Sequence, residues 1–132
     1  MIVVVDASAA VEISLAKPSA NRFREELLDA ALTLAPDTYA SEITNVFWKY
    51  RAYSGLPEQA CLEGIEFCLG IVDEYIPSVE LWREAFFEAS KAKHPVYDML
   101  YLIVARRHNA RLLTKDGKLA ELATRSGIFV VS

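Results

Sequence analysis

The chain has 132 residues, with 14 Lys and Arg against 18 Asp and Glu, and a formal net charge of −4. Hydrophobic residues make up 53% and charged residues 24%, which excludes an intrinsically disordered chain. The length suits one compact domain, residues 1–132, with a real core. No apolar run approaches the roughly 20 residues of a membrane span, the start lacks a basic signal region, and two cysteines make no disulfide framework. We therefore expect a cytoplasmic protein.

Charge is distributed unevenly along the chain. Residues 1–90 contain 6 Lys and Arg against 15 Asp and Glu, whereas residues 91–132 contain 8 against 3. This pattern is typical either of two solvated surfaces of opposite sign or of a basic face for a polyanion. The chain is not basic enough to indicate nucleic-acid binding from charge alone.

Helix and strand signals alternate in the first half of the chain. The expected elements are a β-branched, buried parallel strand at 1–5, helices at 9–15 and 20–31, a brief strand at 32–34, a long helix at 38–54 and a helix from 57. Pro18 and Ser19 mark a break and restart between the first two helices. Asp37 or Thr38 is expected to cap the long helix, and Gly55 to end it.

The second half continues the alternation. Its expected elements are a strand at 71–76, helices at 78–91 and from 94, a strand at 111–114, a helix from 116 or 117 to 127, and a strand at 128–131. Short strands separated by helices require parallel pairing and crossover connections. The pattern predicts a three-layer α/β/α sandwich with a short parallel sheet of four to five strands.

Four acidic residues are expected near one edge of this sheet. Asp6 directly follows the first strand, Asp116 closely follows the strand at 111–114, and Glu42 and Asp98 lie near the starts of two helices. Ligands of open parallel sheets bind beyond the carboxyl ends of the strands. Clustered carboxylates repel one another, and a divalent cation removes that repulsion. Ligands that are all oxygen indicate Mg²⁺ or Mn²⁺ rather than zinc.

Each acid also has a purely structural interpretation. Asp6 and Asp116 have the position of helix N-caps, and Glu42 and Asp98 the position of first-turn acids that complement a helix dipole. The coincidence of four acids at helix starts beyond strand ends favours the metal cluster.

Other reactive residue types form no recognisable constellation. His94 and His108 lack metal-ligand spacing, and we expect a helix-entry position for the first and a surface or cap position for the second. Cys61 and Cys68, seven residues apart on one helix, are predicted to pack in the core. No glycine-rich phosphate loop is present. Core or interface positions are predicted for the aromatic residues at helical spacing, which are Trp48, Tyr53, Trp82, Phe86 and Phe87.

Four segments resemble the signature segments of PIN-domain ribonucleases, in the right order and over essentially the whole chain. They are residues 3–8 (VVVDAS), 40–46 (ASEITNV), 97–102 (YDMLYL) and 112–119 (LLTKDGKL). The short chain is similar to the VapC-type toxins of bacterial and archaeal toxin–antitoxin pairs.

The resemblance implies an active site and a reaction. The acids that hold one or two Mg²⁺ or Mn²⁺ ions in that family fall on Asp6, Glu42, Asp98 and Asp116. Supporting polar positions fall on Ser8, Asn45 and Thr114. The implied activity is metal-dependent hydrolysis of RNA phosphodiester bonds, an endoribonuclease reaction. Two departures from the family pattern, Glu12 and Met99, remove no metal ligand. Expected phosphate contacts, each with an ordinary solvated surface as the alternative, are Lys115, Lys118, Arg106, Arg107 and Arg111.

The resemblance also implies partners. VapC-type toxins usually form homodimers, and a cognate antitoxin lies over their active site, often presenting an arginine to the acids. The apolar surfaces of the helices at 20–31 and 38–70 are the expected dimer and antitoxin faces. The alternative is a non-catalytic PIN-like module that binds RNA or protein. An aspartate-based phosphatase is disfavoured because Ser8 stands where its second acid belongs. A DNA-directed nuclease normally carries extra helices, for which this chain has little room.

Overall fold

The computed structural model describes residues 1–132, and a five-stranded parallel sheet forms its middle layer. The strands are β1 (Ile2–Val5), β2 (Leu32–Pro36), β3 (Glu74–Ile76), β4 (Arg111–Leu113) and β5 (Val130–Val131). The helices are α1 (Ala7–Ser14), α2 (Ala20–Asp29), α3 (Tyr39–Ser54), α4 (Glu58–Gly70), α5 (Trp82–Ala92), α6 (Val96–His108) and α7 (Gly117–Arg125). No helix has both the length and the hydrophobicity needed to cross a membrane.

The strand order is β3-β2-β1-β4-β5, and every neighbouring pair is parallel. The chain builds outward from β1 to β3 and then returns to place β4 on the free side of β1. Val4 of β1 lies between Leu34 of β2 and Leu112 of β4. The strand order therefore reverses between β1 and β4, and the crevice beyond their carboxyl ends is the expected ligand position of such a sheet.

Helices cover both faces of the sheet, so the predicted three-layer α/β/α architecture is confirmed. Helices α1 to α4 pack together on one side, and α5 to α7 lie on the other. Because helices bury β1 from both faces, Val3, Val4 and Val5 are all inaccessible to solvent. Helix α6 is buried along the continuous run from Met99 to Ala105, as its apolar content predicts. These elements share one hydrophobic core of 34 buried residues.

Two glycines have clear structural reasons. Gly55 ends α3 in the left-handed conformation, with a φ of 68°, and confirms the predicted stop signal. Gly64 allows α4 to approach α3 closely, because a Cβ at this position would lie 2.5 Å from the ring of Phe47. Cys61 and Cys68 are buried free thiols on α4, as predicted.

Several element boundaries differ from the sequence-based expectations. Strand β3 begins at Glu74 rather than at residue 71, because the Asp73 carboxylate, instead of a backbone carbonyl of β3, accepts the hydrogen bond of the Thr33 amide in β2. Thr38 occupies the N-cap position of α3 without a capping bond from its side chain. Ser78 starts a single 3₁₀ turn, Ser78–Glu80, without a capping side-chain bond, and α5 follows it.

The large aromatic residues of α3 and α5, predicted to lie in the core or at an interface, do not lie in the core. Their exposed fractions range from 53% for Trp48 to 78% for Tyr53. The core positions of α3 are taken by Ile43 and Phe47. Those of α5 are taken by the small side chains Ala85 and Ala89, which leaves Trp82, Phe86 and Phe87 in solvent.

Candidate active site

Asp6 lies at the point where β1 ends and α1 begins. Its backbone amide still donates to Leu113 of β4, at 3.1 Å, while its side chain is the N-cap of α1. Oδ1 accepts hydrogen bonds from the Ala9 amide at 2.9 Å and from the Ser8 hydroxyl at 2.7 Å. Oδ2 accepts one from the Thr114 hydroxyl. The capping interpretation is therefore correct for Asp6, and the same residue sits at the crevice between β1 and β4.

Ser8 and Thr114 connect the ends of β1 and β4 through their hydroxyl groups. The Ser8 hydroxyl accepts a hydrogen bond from the Lys115 amide at 2.8 Å, and the Thr114 hydroxyl accepts one from the Asp116 amide at 2.9 Å. Both hydroxyls in turn donate to Asp6. The backbone that follows β4 is thus tied to the Asp6 carboxylate, which fixes the rotamer of that carboxylate.

Glu42 reaches the same region from the first turn of α3. Its Oε1 accepts a hydrogen bond from the hydroxyl of Tyr101, which lies on α6, at 3.1 Å. The Thr38 hydroxyl, one turn before Glu42, is buried and faces the Glu42 carboxylate, whose pKa it lowers. Tyr101 was not predicted as a site residue, although its spacing of three residues from Asp98 places both on one face of α6.

Asp98 lies in the first turn of α6 and is held by His94. His94 Nε2 and Asp98 Oδ2 are 2.7 Å apart. His94 was predicted only as a helix-entry residue, and this contact went unrecognised. The spacing of four residues was a usable signal, but Pro95 lies between them and α6 begins only at Val96, so helical spacing was not assured.

Burial and mutual repulsion raise the pKa values of two of these acids. Burial raises the pKa of Asp6 to about 6, against the opposing hydrogen bonds from Thr114, Ser8 and Ala9, and the nearby charge of Asp98 raises it further. Burial raises the pKa of Glu42 to about 7, with the charges of Asp6 and Asp98 adding to the effect. The three carboxylates therefore lie close enough for their charges to interact, and no basic side chain is in ionic contact with Asp6 or Glu42.

The other two predicted residues lie differently. Asp116 is the N-cap of α7, and its Oδ1 accepts hydrogen bonds from the amides of Lys118 at 2.9 Å and Leu119 at 3.0 Å. Asn45 is exposed on α3 and makes no side-chain hydrogen bond. The structure thus places Asp6, Glu42 and Asp98 within electrostatic reach of one another, places Asp116 at the rim with Oδ1 bonded in a helix cap, and leaves Asn45 in solvent.

The chemistry of this donor set fits a hard divalent cation. The three acids offer carboxylate oxygens, and the side chains bonded to Asp6 and Glu42 are the hydroxyls of Ser8, Thr114 and Tyr101. No three His, Cys, Asp or Glu side chains converge closely enough to form a ready-made metal cage. Mg²⁺ fits such a site, because it retains several waters and is usually held by one or two carboxylates.

These features define an open α/β domain with a carboxylate site at its topological switch point. The family model of the PIN domain matches residues 3–124. The fold is similar to the crystal structure of PAE2754 from Pyrobaculum aerophilum, with a TM-score of 0.74 and 19% identity over 99% of this chain and 84% of that chain. It is also similar to a domain of a functionally unknown protein from Methanocaldococcus jannaschii, with a TM-score of 0.53 and 23% identity over 98% of this chain and 89% of that chain. Proteins of curated function give no match.

The chain belongs to the PIN domain family, because the family model covers most of its length. The PIN domain is a nuclease-type fold, and its members typically use divalent metal ions. The two structural neighbours support the fold itself.

Proposed function

We propose that this protein is a metal-dependent endoribonuclease that acts as the toxin of a toxin–antitoxin pair. The observation that carries the proposal is the group of Asp6, Glu42 and Asp98 at the switch point of a PIN fold. Two of these acids have raised pKa values, and neither of the two is neutralised by a basic side chain of the chain itself. Folding has placed negative charge in a poorly solvated crevice, an arrangement that destabilises the free protein and favours binding of a cation.

The chain's own residues prepare this site for a divalent ion and an RNA strand. Asp6, Glu42 and Asp98 would hold Mg²⁺ or Mn²⁺, and Asp116 would complete the set from the rim. When bound, the ion supplies stabilisation of charge on the phosphoryl oxygens and activation of water for hydrolysis. Three donors fix the Asp6 carboxylate, the Tyr101 hydroxyl fixes Glu42, and His94 fixes Asp98. Such preorganisation is the protein's contribution to catalysis at a metal site.

The decisive experiment is cleavage of total cellular RNA by the purified protein, free of any partner. We expect discrete products with Mg²⁺ or Mn²⁺, no products with EDTA, and at least a hundredfold slower cleavage, roughly, by Asp6→Asn. Asp29→Asn is a matched control, because Asp29 is exposed at the end of α2 and makes no ion pair. Cleavage by Asp6→Asn at the wild-type rate would refute the site. If folded wild-type protein cleaves nothing with either metal, the protein is a PIN-like RNA- or protein-binding module instead.

The toxin role includes two protein partners, a cognate antitoxin and a second copy of the chain, and places the protein in the cytoplasm with its RNA. Apolar side chains exposed on the helices at 20–31 and 38–70 support a partner surface, and the largest are Leu28, Trp48, Tyr53, Leu62 and Phe67. An unneutralised acidic crevice suits an arginine from an antitoxin. We expect light scattering to give a dimer mass, and a monomer mass across a wide concentration range would contradict it.

A further inference from the structure

The structure sorts the basic residues expected to contact phosphate into paired and unpaired groups. Arg106 and Arg107 form ion pairs with Glu84, at 3.3 Å and 2.5 Å, and Arg106 also pairs with Glu88. Arg111, the first residue of β4, pairs with Glu26 of α2 at 3.1 Å. Lys118 has a long contact with Glu121, at 4.0 Å. Of the five, Lys115 alone has no carboxylate partner.

Lys115 instead converges with a second unpaired cation on one hydroxyl. Its Nζ donates to Ser19 Oγ at 3.2 Å, and Arg22 Nη2 donates to the same oxygen at 3.3 Å. Ser19 is nine-tenths buried between α1 and α2, whereas Lys115 and Arg22 are exposed. Neither cation has a carboxylate within ion-pair distance. Two positive groups are thus held together and left without a counter-charge.

The acid next to this turn, Glu12, is hydrogen-bonded to the backbone and not to either cation. Glu12, on α1, accepts a hydrogen bond from the Ser19 amide at 3.2 Å through Oε2. This contact holds the turn between α1 and α2 and presents the Ser19 side chain to the two cations. The Ser19 hydroxyl accepts from both of them and makes no capping bond of its own, so its hydrogen remains available to an incoming acceptor.

We propose that Ser19, Arg22 and Lys115 form a binding site for a phosphodiester of the RNA strand, next to the one that is cleaved. A guanidinium, an ammonium and a hydroxyl donor match the oxygens of a phosphate group. The site adjoins the crevice, because the Lys115 amide donates to Ser8, which donates to Asp6. The Lys115 side chain leads away from Asp6 to α2, so the phosphate that it binds is a neighbour of the scissile one. This inference rests on the proposed function.

The test is binding of a fluorescent, mixed-sequence, single-stranded 12-nucleotide RNA to the full chain in EDTA, across a series of salt concentrations. The double variant Arg22→Gln/Lys115→Gln is compared with Arg24→Gln/Lys49→Gln, which removes the same two charges. Arg24 lies on α2 but contacts Asn21, and Lys49 is exposed on α3 without an ion pair. We expect the first variant to bind about tenfold more weakly, with its log–log salt slope reduced by about 0.7, the value for one phosphate of a single strand. The control should keep the wild-type slope.

Two further measurements separate the possible outcomes. Ser19→Ala keeps both charges and should still weaken binding, because the cations lose the hydroxyl that gathers them. Equal losses in both double variants would overturn the site, since binding would then follow net charge alone. Unchanged RNA binding in Arg22→Gln/Lys115→Gln would also overturn the phosphate site. The two cations would then be expected to bind a carboxylate of a protein partner. RNA cleavage with Mg²⁺ is measured separately. If the binding experiment refutes the phosphate site but the wild-type protein cleaves RNA, the proposed function still stands.

Discussion

Two groups of carboxylates in this molecule have opposite electrostatic surroundings. On the face formed by α5 and α6, Glu84 and Glu88 form ion pairs with Arg106 and Arg107, which lower the pKa values of both acids. At the crevice beyond β1 and β4, burial raises the pKa values of Asp6 and Glu42. The first group is half-buried and paired with arginines, whereas the second, a buried Asp6 and a half-buried Glu42, has no basic partner.

The difference shows where the chain has neutralised its own charge. The sequence is acidic before residue 91 and basic after it, and one interpretation of that asymmetry was two separate surfaces of opposite sign. In the structure the arginines of the basic part largely pair with acids of the acidic part, across α5 and α6 and between Arg111 and Glu26. The crevice acids receive no such partner. Their counter-charge has to come from outside the chain.

The largest expected effect is a fall in stability between about pH 4 and pH 7 in EDTA. The folded pKa values of about 6 for Asp6 and about 7 for Glu42 lie above their ordinary values. The folded protein therefore binds protons more tightly than the unfolded chain, and stability is lost as pH rises through the folded pKa values. Asp6 alone accounts for up to about 3 kcal/mol. Urea unfolding at several pH values measures this slope, and a free energy of unfolding that rises over this range would contradict it.

Asp6→Asn should remove the share of that slope that belongs to Asp6. At pH 8 in EDTA we expect the variant to be as stable as the wild type or more stable, by up to about 2 kcal/mol, because the buried charge is gone while an amide oxygen still accepts from Ala9. The measurement is the midpoint of thermal or urea unfolding. A clearly destabilised Asp6→Asn would mean that the carboxylate stabilises the fold.

Divalent cations should stabilise the wild-type protein at pH 7.5. At a concentration ten times Kd, Mg²⁺ or Mn²⁺ raises the free energy of unfolding by about 1.4 kcal/mol, since it binds the folded state alone. Asp6→Asn should lose this response, and Glu84→Gln should retain it. Thermal unfolding with and without metal gives the comparison. An equal response from Asp6→Asn would place the metal elsewhere.

The smallest effect is expected on the paired face. Glu84→Gln breaks its ion pairs with Arg106 and Arg107, and we expect a destabilisation of about 0.5–1 kcal/mol that shrinks in high salt. The variant should cleave RNA at the wild-type rate. A gain in stability from Glu84→Gln would mean that the paired acids, like the crevice acids, destabilise the fold, and would contradict the difference between the two groups.

Much of the fold was predictable because local signals agree with it. The β-branched run at β1, the glycine stop after α3 and the apolar stretch of α6 each determine one element with little help from the rest of the chain. The β3 boundary was wrong because Asp73 bonds to a backbone amide forty residues away, which no local pattern contains. For the aromatic residues of α5 the sequence left core and interface open, and the core is excluded because alanines, rather than the larger side chains, fill the contact with α6.

The candidate site was predictable in part for a similar reason. Position after a strand predicts where a backbone lies, so Asp6 and Asp116 were correctly placed at one sheet edge. Which way each carboxylate turns depends on its hydrogen-bond donors. Thr114 and Ser8 hold Asp6 in the crevice, while the amides at the start of α7 hold Asp116 at its rim. The contacts of His94 with Asp98 and of Tyr101 with Glu42 likewise depend on side-chain orientation, which the sequence pattern does not determine.

The hydrogen bond between Thr114 and Asp6 joins residues 108 positions apart. Strand β4 pairs with β1 only after the chain has passed Leu113, so a nascent polypeptide that ends in α5 has Asp6 but neither Thr114 nor α6. Domains of this kind assemble as units, and a long-range strand pair forms late. The crevice is therefore complete only after the chain through α6 and Thr114 has been synthesised. A ribosome that has translated only as far as α5 carries a chain without the proposed activity toward RNA.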